Sequence, residues 1–128
     1  MSGDRITLTM PGERDFFRVA HLVVGGLAVR LDLTFETLED LQIALATVLG
    51  ESAGEVTVSV RVQPDQIEAS IGPFGSGDHE LDLDREVEEG VPLRRVLETV
   101  CDSIGVVDGE GGRWVVLRKN VHVKKPAS

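Results

Sequence analysis

Two runs between residues 55 and 72 place an apolar residue at every second position, and that constrains this chain more than any other feature. Val56, Val58, Val60 and Val62 alternate with Thr57, Ser59 and Arg61. Pro64-Asp65 follows, and Ile67, Ala69 and Ile71 return at the same period. A period of two sends one set of side chains to one face of a strand. Pro-Asp is turn chemistry, so the two runs read as a β-hairpin. A hairpin on its own is marginal in water, and its apolar face needs a cover.

Three helices are available to cover it. From Glu13 to Leu31, Phe16, Ala20, Val23, Leu27 and Leu31 recur at three- and four-residue steps, with Glu13 and Asp15 in the first turn where the helix dipole favours them. Gly25-Gly26 lies in the middle of this helix, at about 1 kcal/mol of helix propensity per glycine. Close packing against a neighbouring element is the favoured explanation, and a hinge is the alternative. Thr34 or Thr37 caps a second helix with Leu38, Leu41, Leu45 and Val48 as its stripe, ending near residues 50–54. Gly90 precedes a third, with Pro92 at its first position and Leu93, Val96, Leu97 and Val100 as its buried face.

Ile6, Leu8 and Met10 form an opening strand, stopped by Pro11-Gly12. Residues 104–107 and 113–117 form a closing pair around Asp108-Gly109-Glu110-Gly111-Gly112, and the basic stretch 118–125 extends the last strand or stays solvated. The order is strand, helix, helix, strand, strand, helix, strand, strand. It predicts a two-layer α/β (α+β) sandwich, with a mixed, mainly antiparallel sheet and all three helices on one face. Residues 1–128 read as a single domain, with a flexible loop over about 72–90. Within that loop, residues 78–89 hold seven acidic residues against one arginine, Arg85.

Composition removes several function classes. The net charge is −9 and aromatic residues make up 4%, without a tyrosine. Such a surface repels phosphate backbones and offers little for bases to stack on, so no direct nucleic-acid binding is expected. Basic protein partners are favoured instead. The sole cysteine, Cys101, excludes an internal disulfide and reads as a buried small residue on the third helix. The longest apolar run, residues 22–29, is too short to span a bilayer, and no signal peptide fits the first residues, so a cytoplasmic protein is expected. His21 reads as packed on a helix flank, and His79 among Asp78, Glu80, Asp82 and Asp84 reads as part of the acidic loop rather than a calcium loop. No nucleophile elbow or triad spacing is present.

The opening strand with its long helix, Leu38-Glu39-Asp40-Leu41-Gln42-Ile43-Ala44, Gly90-Val91-Pro92-Leu93, and the final run Trp114-Val115-Val116-Leu117-Arg118-Lys119 together resemble the Bergerat-fold (GHKL) ATPase domain. More narrowly, they resemble the bacterial anti-sigma-factor serine kinases of the general stress and sporulation switches. The resemblance implies a histidine-kinase-like ATPase framework, a homodimer, and partners among sigma factors and anti-sigma-factor antagonists. It implies ATP and Mg²⁺ only where the pocket is retained, and the expectation here is that no cofactor is bound.

The same resemblance locates the chemistry. On the second helix the family places a general-base Glu and, four residues on, an Mg²⁺-binding Asn. The matching positions here are Thr47 and Glu51. Thr47 does not accept a proton near neutral pH, so no catalytic residue is assigned. Glu51 has oxygens for Mg²⁺, although a solvated charge at a helix end is the favoured reading. The family's adenine-binding Asp has no counterpart in Ile71-Gly72-Pro73-Phe74; Gly72 remains as a loop glycine, and Phe74 is placed to fill the adenine space. One glycine of the phosphate cradle, Gly90, remains, and Pro92 removes an N–H donor. Arg94 and Arg95 either offset the acidic stretch near a phosphate or are solvated.

Three functions follow. The leading one is a non-catalytic, anti-sigma-type binding module that controls a sigma factor or its antagonist. The alternative is a divergent ATP-dependent serine kinase acting on such an antagonist, with Glu51 or Glu39 replacing the missing groups. The third is a small α/β dimerisation or ligand-binding domain.

Overall fold

The alternating segments pair as their periodicity requires. The computed structural model describes residues 5–31, 33–51, 54–74, 83–84 and 86–120. Strands β1 (Arg5–Pro11), β2 (Glu55–Gln63), β3 (Gln66–Phe74), β6 (Ser103–Gly109) and β7 (Gly112–Asn120) form one sheet in the order β1-β2-β3-β7-β6. Every ladder in it is antiparallel. Helices α1 (Arg14–Leu31), α2 (Phe35–Leu49) and α3 (Leu93–Val100) complete the two-layer α+β sandwich. Two short strands, β4 (Glu86–Glu88) and β5 (Val91–Pro92), pair with each other beside it.

The register explains the layering. Leu8, Val58, Ile71, Val115 and Val106 lie side by side across the sheet, as do Thr7, Ser59, Ser70, Val116 and Gly105. The first row belongs to the helix side, where Val58, Ile71 and Val115 are at most 4% exposed. The second row carries the hydroxyl groups, and next to it Thr9 bonds Thr57 at 2.8 Å. Leu45, Val48, Leu49, Leu93 and Leu97 close over the helix side. At roughly 1.5–3 kcal/mol per fully buried aliphatic side chain, this burial is the main term holding the layers together.

Local chemistry settles the second helix. The Thr34 hydroxyl oxygen accepts from the Thr37 amide at 3.2 Å and donates to the Thr37 hydroxyl at 2.9 Å, so Thr34 is the N-cap. Gly50 ends the helix, its N–H reaching back to the Ala46 carbonyl at 3.0 Å.

Several expectations change. The buried stripe of α1 is Ala20, Val24 and Leu27, with Phe17 half-buried against the core, while Phe16 is 39% exposed and Val23 half-buried; the side chain of Leu31 lies outside the described residues. This helix is apolar around most of its circumference, so spacing alone does not select a face. A Cβ at Gly25 or Gly26 would meet nothing within 4 Å, which removes close packing within this chain as their explanation. Cys101 is buried but follows α3 in an extended conformation. Pro92 is the N-cap of α3 rather than its first residue. The stretch 72–90 is not all loop, because β3 continues through Phe74 and β4 begins at Glu86. Residues 75–82, 85 and 121–128, with His79, His122 and most of the basic tail, lie outside the described residues.

Candidate functional site

Helices α2 and α3 pack against each other, and Val48 near the end of α2 shares one apolar cluster with Leu93 at the start of α3. Thr47 lies in the last turn of α2, and Glu51 follows the helix. The Thr47 hydroxyl donates to the Ile43 carbonyl at 2.7 Å, a bond internal to its own helix. Glu51 lies one residue beyond the helix cap, half-buried, with its N–H on the Val48 carbonyl at 3.0 Å. Glu39 is exposed on the same helix, some two turns earlier.

Phe74 is 3% exposed and belongs to the same apolar cluster as Val48, Leu93 and Leu97. Gly72 is buried too, but it does not face the helices. It pairs with Thr57, on the row next to Ser59, and the Trp114 ring covers it; a Cβ there would lie 2.8 Å from Trp114 Cδ2. The Trp114 indole N–H donates to the Glu110 carbonyl at 2.9 Å, which fixes the ring over that glycine.

Gly90 sits in the turn between β4 and β5 with φ +76°, a backbone setting that favours glycine. Its N–H points at Glu86 Oε2, 3.4 Å away. Arg94 is in the first turn of α3, with its Nε 3.8 Å from Asp84 Oδ1 and its amide donating to the Leu83 carbonyl at 2.8 Å. Sequence reasoning missed these partners. Leu83 is 9% exposed and joins the core, and the signal for it was the alternation of Leu81 and Leu83 with acidic residues.

A second feature lies on the side of α1 away from the core. Phe17, Arg18, His21, Leu22, Gly25, Gly26, Val29 and Gln42 line an open groove of about 680 Å³. Leu22 is 75% exposed and Val29 84%, and Phe35 at the start of α2 is 75% exposed. The side chain of Gln42 reaches the His21 carbonyl at 3.5 Å across the two helices. His21, expected to be packed, is half-buried on the wall of this groove. Among the described residues, no group of three or more His, Cys, Asp or Glu is placed to hold a metal ion, and no helix is long and apolar enough to cross a membrane.

No protein-family model matches the chain. Curated relatives do. The serine-protein kinase RsbW of Listeria innocua is 27% identical over 146 aligned positions, covering 95% of this chain and 90% of the relative. The serine-protein kinase RsbW of Bacillus velezensis is 25% identical over 135 positions, covering 86% and 82%. Among solved structures, that of the RsbU and RsbW domains of Rv1364c from Mycobacterium tuberculosis superposes with a TM-score of 0.68 at 11% identity. It covers 92% of this chain, which spans about a third (32%) of that longer protein.

Proposed function

We propose that this chain, an anti-sigma-factor serine kinase-like domain of the Bergerat type, controls a sigma factor or its antagonist by binding it, without phosphoryl transfer of its own. The observation that carries the reading is the outer face of α1. Large aliphatic side chains at Leu22 and Val29 stand in solvent beside a groove floored by two glycines. Contiguous exposed apolar surface of this kind marks a protein interface. Small residues at its centre let a partner element approach the helix backbone. The chain's charge of −9 favours a basic partner, and a sigma factor's basic regions would meet that requirement. The homodimer expected from the sequence is part of the same proposal, as is a cytoplasmic location.

On this reading the residues present do not fit Mg-ATP. The position of the general base is a hydroxyl that donates to its own helix. Phe74 is packed into the core, and the Gly90 N–H already faces a carboxylate. Among the described residues Glu51 is the one carboxylate at the end of α2, and one carboxylate does not make a magnesium site.

The test is to mix the purified chain with the sigma factors and anti-sigma-factor antagonists of its host. Complexes are followed by size-exclusion chromatography with light scattering, and phosphate transfer with radiolabelled Mg-ATP. The expected result is a stable complex with one of them and no labelled serine. Failure to bind any of them would sink the binding role. A labelled antagonist would instead establish the second reading, a divergent serine kinase, which the name of the curated relatives favours.

A further inference from the structure

We infer that the chain closes the amino end of α3 with its own carboxylates and carbonyls, so that Asp84 and Glu86 stand in for an anionic ligand and partner binding is independent of nucleotide. The consequence for partners rests on the binding role proposed above; the closure itself does not.

An anion held at a helix start needs backbone N–H groups free to point at it. Here two of the N–H groups by the helix start already face acceptors within the chain. The Gly90 N–H faces Glu86 Oε2 at 3.4 Å, and the Arg94 N–H donates to the Leu83 carbonyl at 2.8 Å. Pro92 has no N–H to offer. The guanidinium of Arg94, in the first turn of α3, lies 3.8 Å from Asp84. An incoming phosphate at these two donors would have to displace both acceptors, and would do so beside two carboxylates of its own sign.

What holds the closure is not the ion pair. The Arg94 and Asp84 side chains are 48% and 86% exposed, and such pairs contribute little. The anchors are apolar and backbone groups. Leu83 is buried in the core, and Glu86 and Glu88 are laddered to Pro92 and Val91. These contacts form when the chain folds and require no ligand. A regulator built this way responds to how much partner is present rather than to the ratio of ATP to ADP.

The experiment follows the amide resonances of Gly90 and Arg94 while the folded chain is titrated with inorganic triphosphate and with Mg-ATP. The expected result is no saturable shift at millimolar ligand. In the double variant Asp84→Ala, Glu86→Ala the Gly90 amide is released, and triphosphate then binds with a saturable shift there, at least about tenfold more tightly than to the parent chain. A saturable shift at Gly90 in the parent chain overturns the inference, and so does a variant that gains no affinity. Should the double variant lose its amide dispersion, Asp84→Asn with Glu86→Gln removes the charge while keeping side-chain volume, and the same gain is required of it. None of these readouts involves a partner. A chain that passes them yet binds no sigma factor or antagonist refutes the binding role alone. Once a partner is found, its affinity is expected to agree within about twofold with and without Mg-ATP, and a larger change overturns the nucleotide independence.

Discussion

Lys119 on β7 and Asp40 on α2 form an ion pair, Nζ to Oδ2 at 2.8 Å, that fastens the second helix to an interior strand of the sheet. Their side chains are 17% and 33% exposed, less than is usual for surface pairs. Removing one partner leaves the other partly desolvated and without its counter-charge. Lys119→Ala is therefore expected to cost about 1–3 kcal/mol in urea unfolding. The double variant with Asp40→Ala should recover part of that loss, giving a coupling energy of roughly 1 kcal/mol. Additive losses would mean that the two side chains act separately.

The glycines divide into two kinds, and alanine substitutions separate them. At Gly25 or Gly26 a methyl group meets nothing within 4 Å, and the backbone is helical. Alanine there should raise stability by about 0.5–1 kcal/mol. At Gly72 the same methyl would lie 2.8 Å from Trp114 Cδ2 and 3.0 Å from the Arg113 carbonyl. Backbone cannot yield as a flexible side chain does, so Gly72→Ala is expected to destabilise by about 1–3 kcal/mol. Thermal melts of the three variants decide the matter, and equal signs would refute the packing described at Trp114.

Burial pushes the Cys101 thiol from its ordinary 9.0 to about 11; the Asp102 and Asp40 carboxylates add to the rise, and Lys119 opposes it. The folded chain therefore holds this proton more tightly than the unfolded chain. That contribution to stability is fully present below pH 9.0 and is lost as pH rises towards 11. Alkylation by iodoacetamide near neutral pH should be slow in the folded chain and fast in urea. A Cys101→Ala variant should show a shallower fall in stability over the alkaline window. Identical slopes would rule out the thiol as its source.

Charged substitutions on the outer face of α1 test the groove. Leu22→Asp and Val29→Asp alter side chains that are 75% and 84% exposed, so stability should move by no more than about 0.5 kcal/mol. Partner affinity should fall by at least about tenfold, because a charge is then forced into an apolar contact. An unchanged affinity would move the interface elsewhere. Leu97→Ala is the contrasting control: that side chain is fully buried, and the cavity should cost about 2–5 kcal/mol.

The strands were legible because alternation in β1, β2 and β3 has one reading, and Pro64-Asp65 fixes where the chain reverses. The face of α1 was not, since Phe16, Val19, Leu22, Val23 and Val29 supply a second apolar surface that periodicity does not distinguish from the first. The site was legible in part. Thr47, Phe74, Gly90 and Arg94 were marked by position and residue type. What each touches depends on residues such as Leu83 and Glu86, whose pairing is set by the β4–β5 turn rather than by any local pattern. Gly72 was marked as a loop glycine, yet it lies on a strand beneath Trp114, forty-two residues away along the chain.

The sheet order also has a kinetic consequence. β2–β3 and β6–β7 are each joined by a tight turn and can form early, whereas β3 meets β7 only by closing a long loop, as in the 3.0 Å bond between Glu68 and Arg118, fifty residues apart. Loop closure of that span is a slow event relative to hairpin formation. Joining the two hairpins is then the step that sets the folding rate. Weakening Glu68–Arg118, a contact that forms as the hairpins join, should then slow folding.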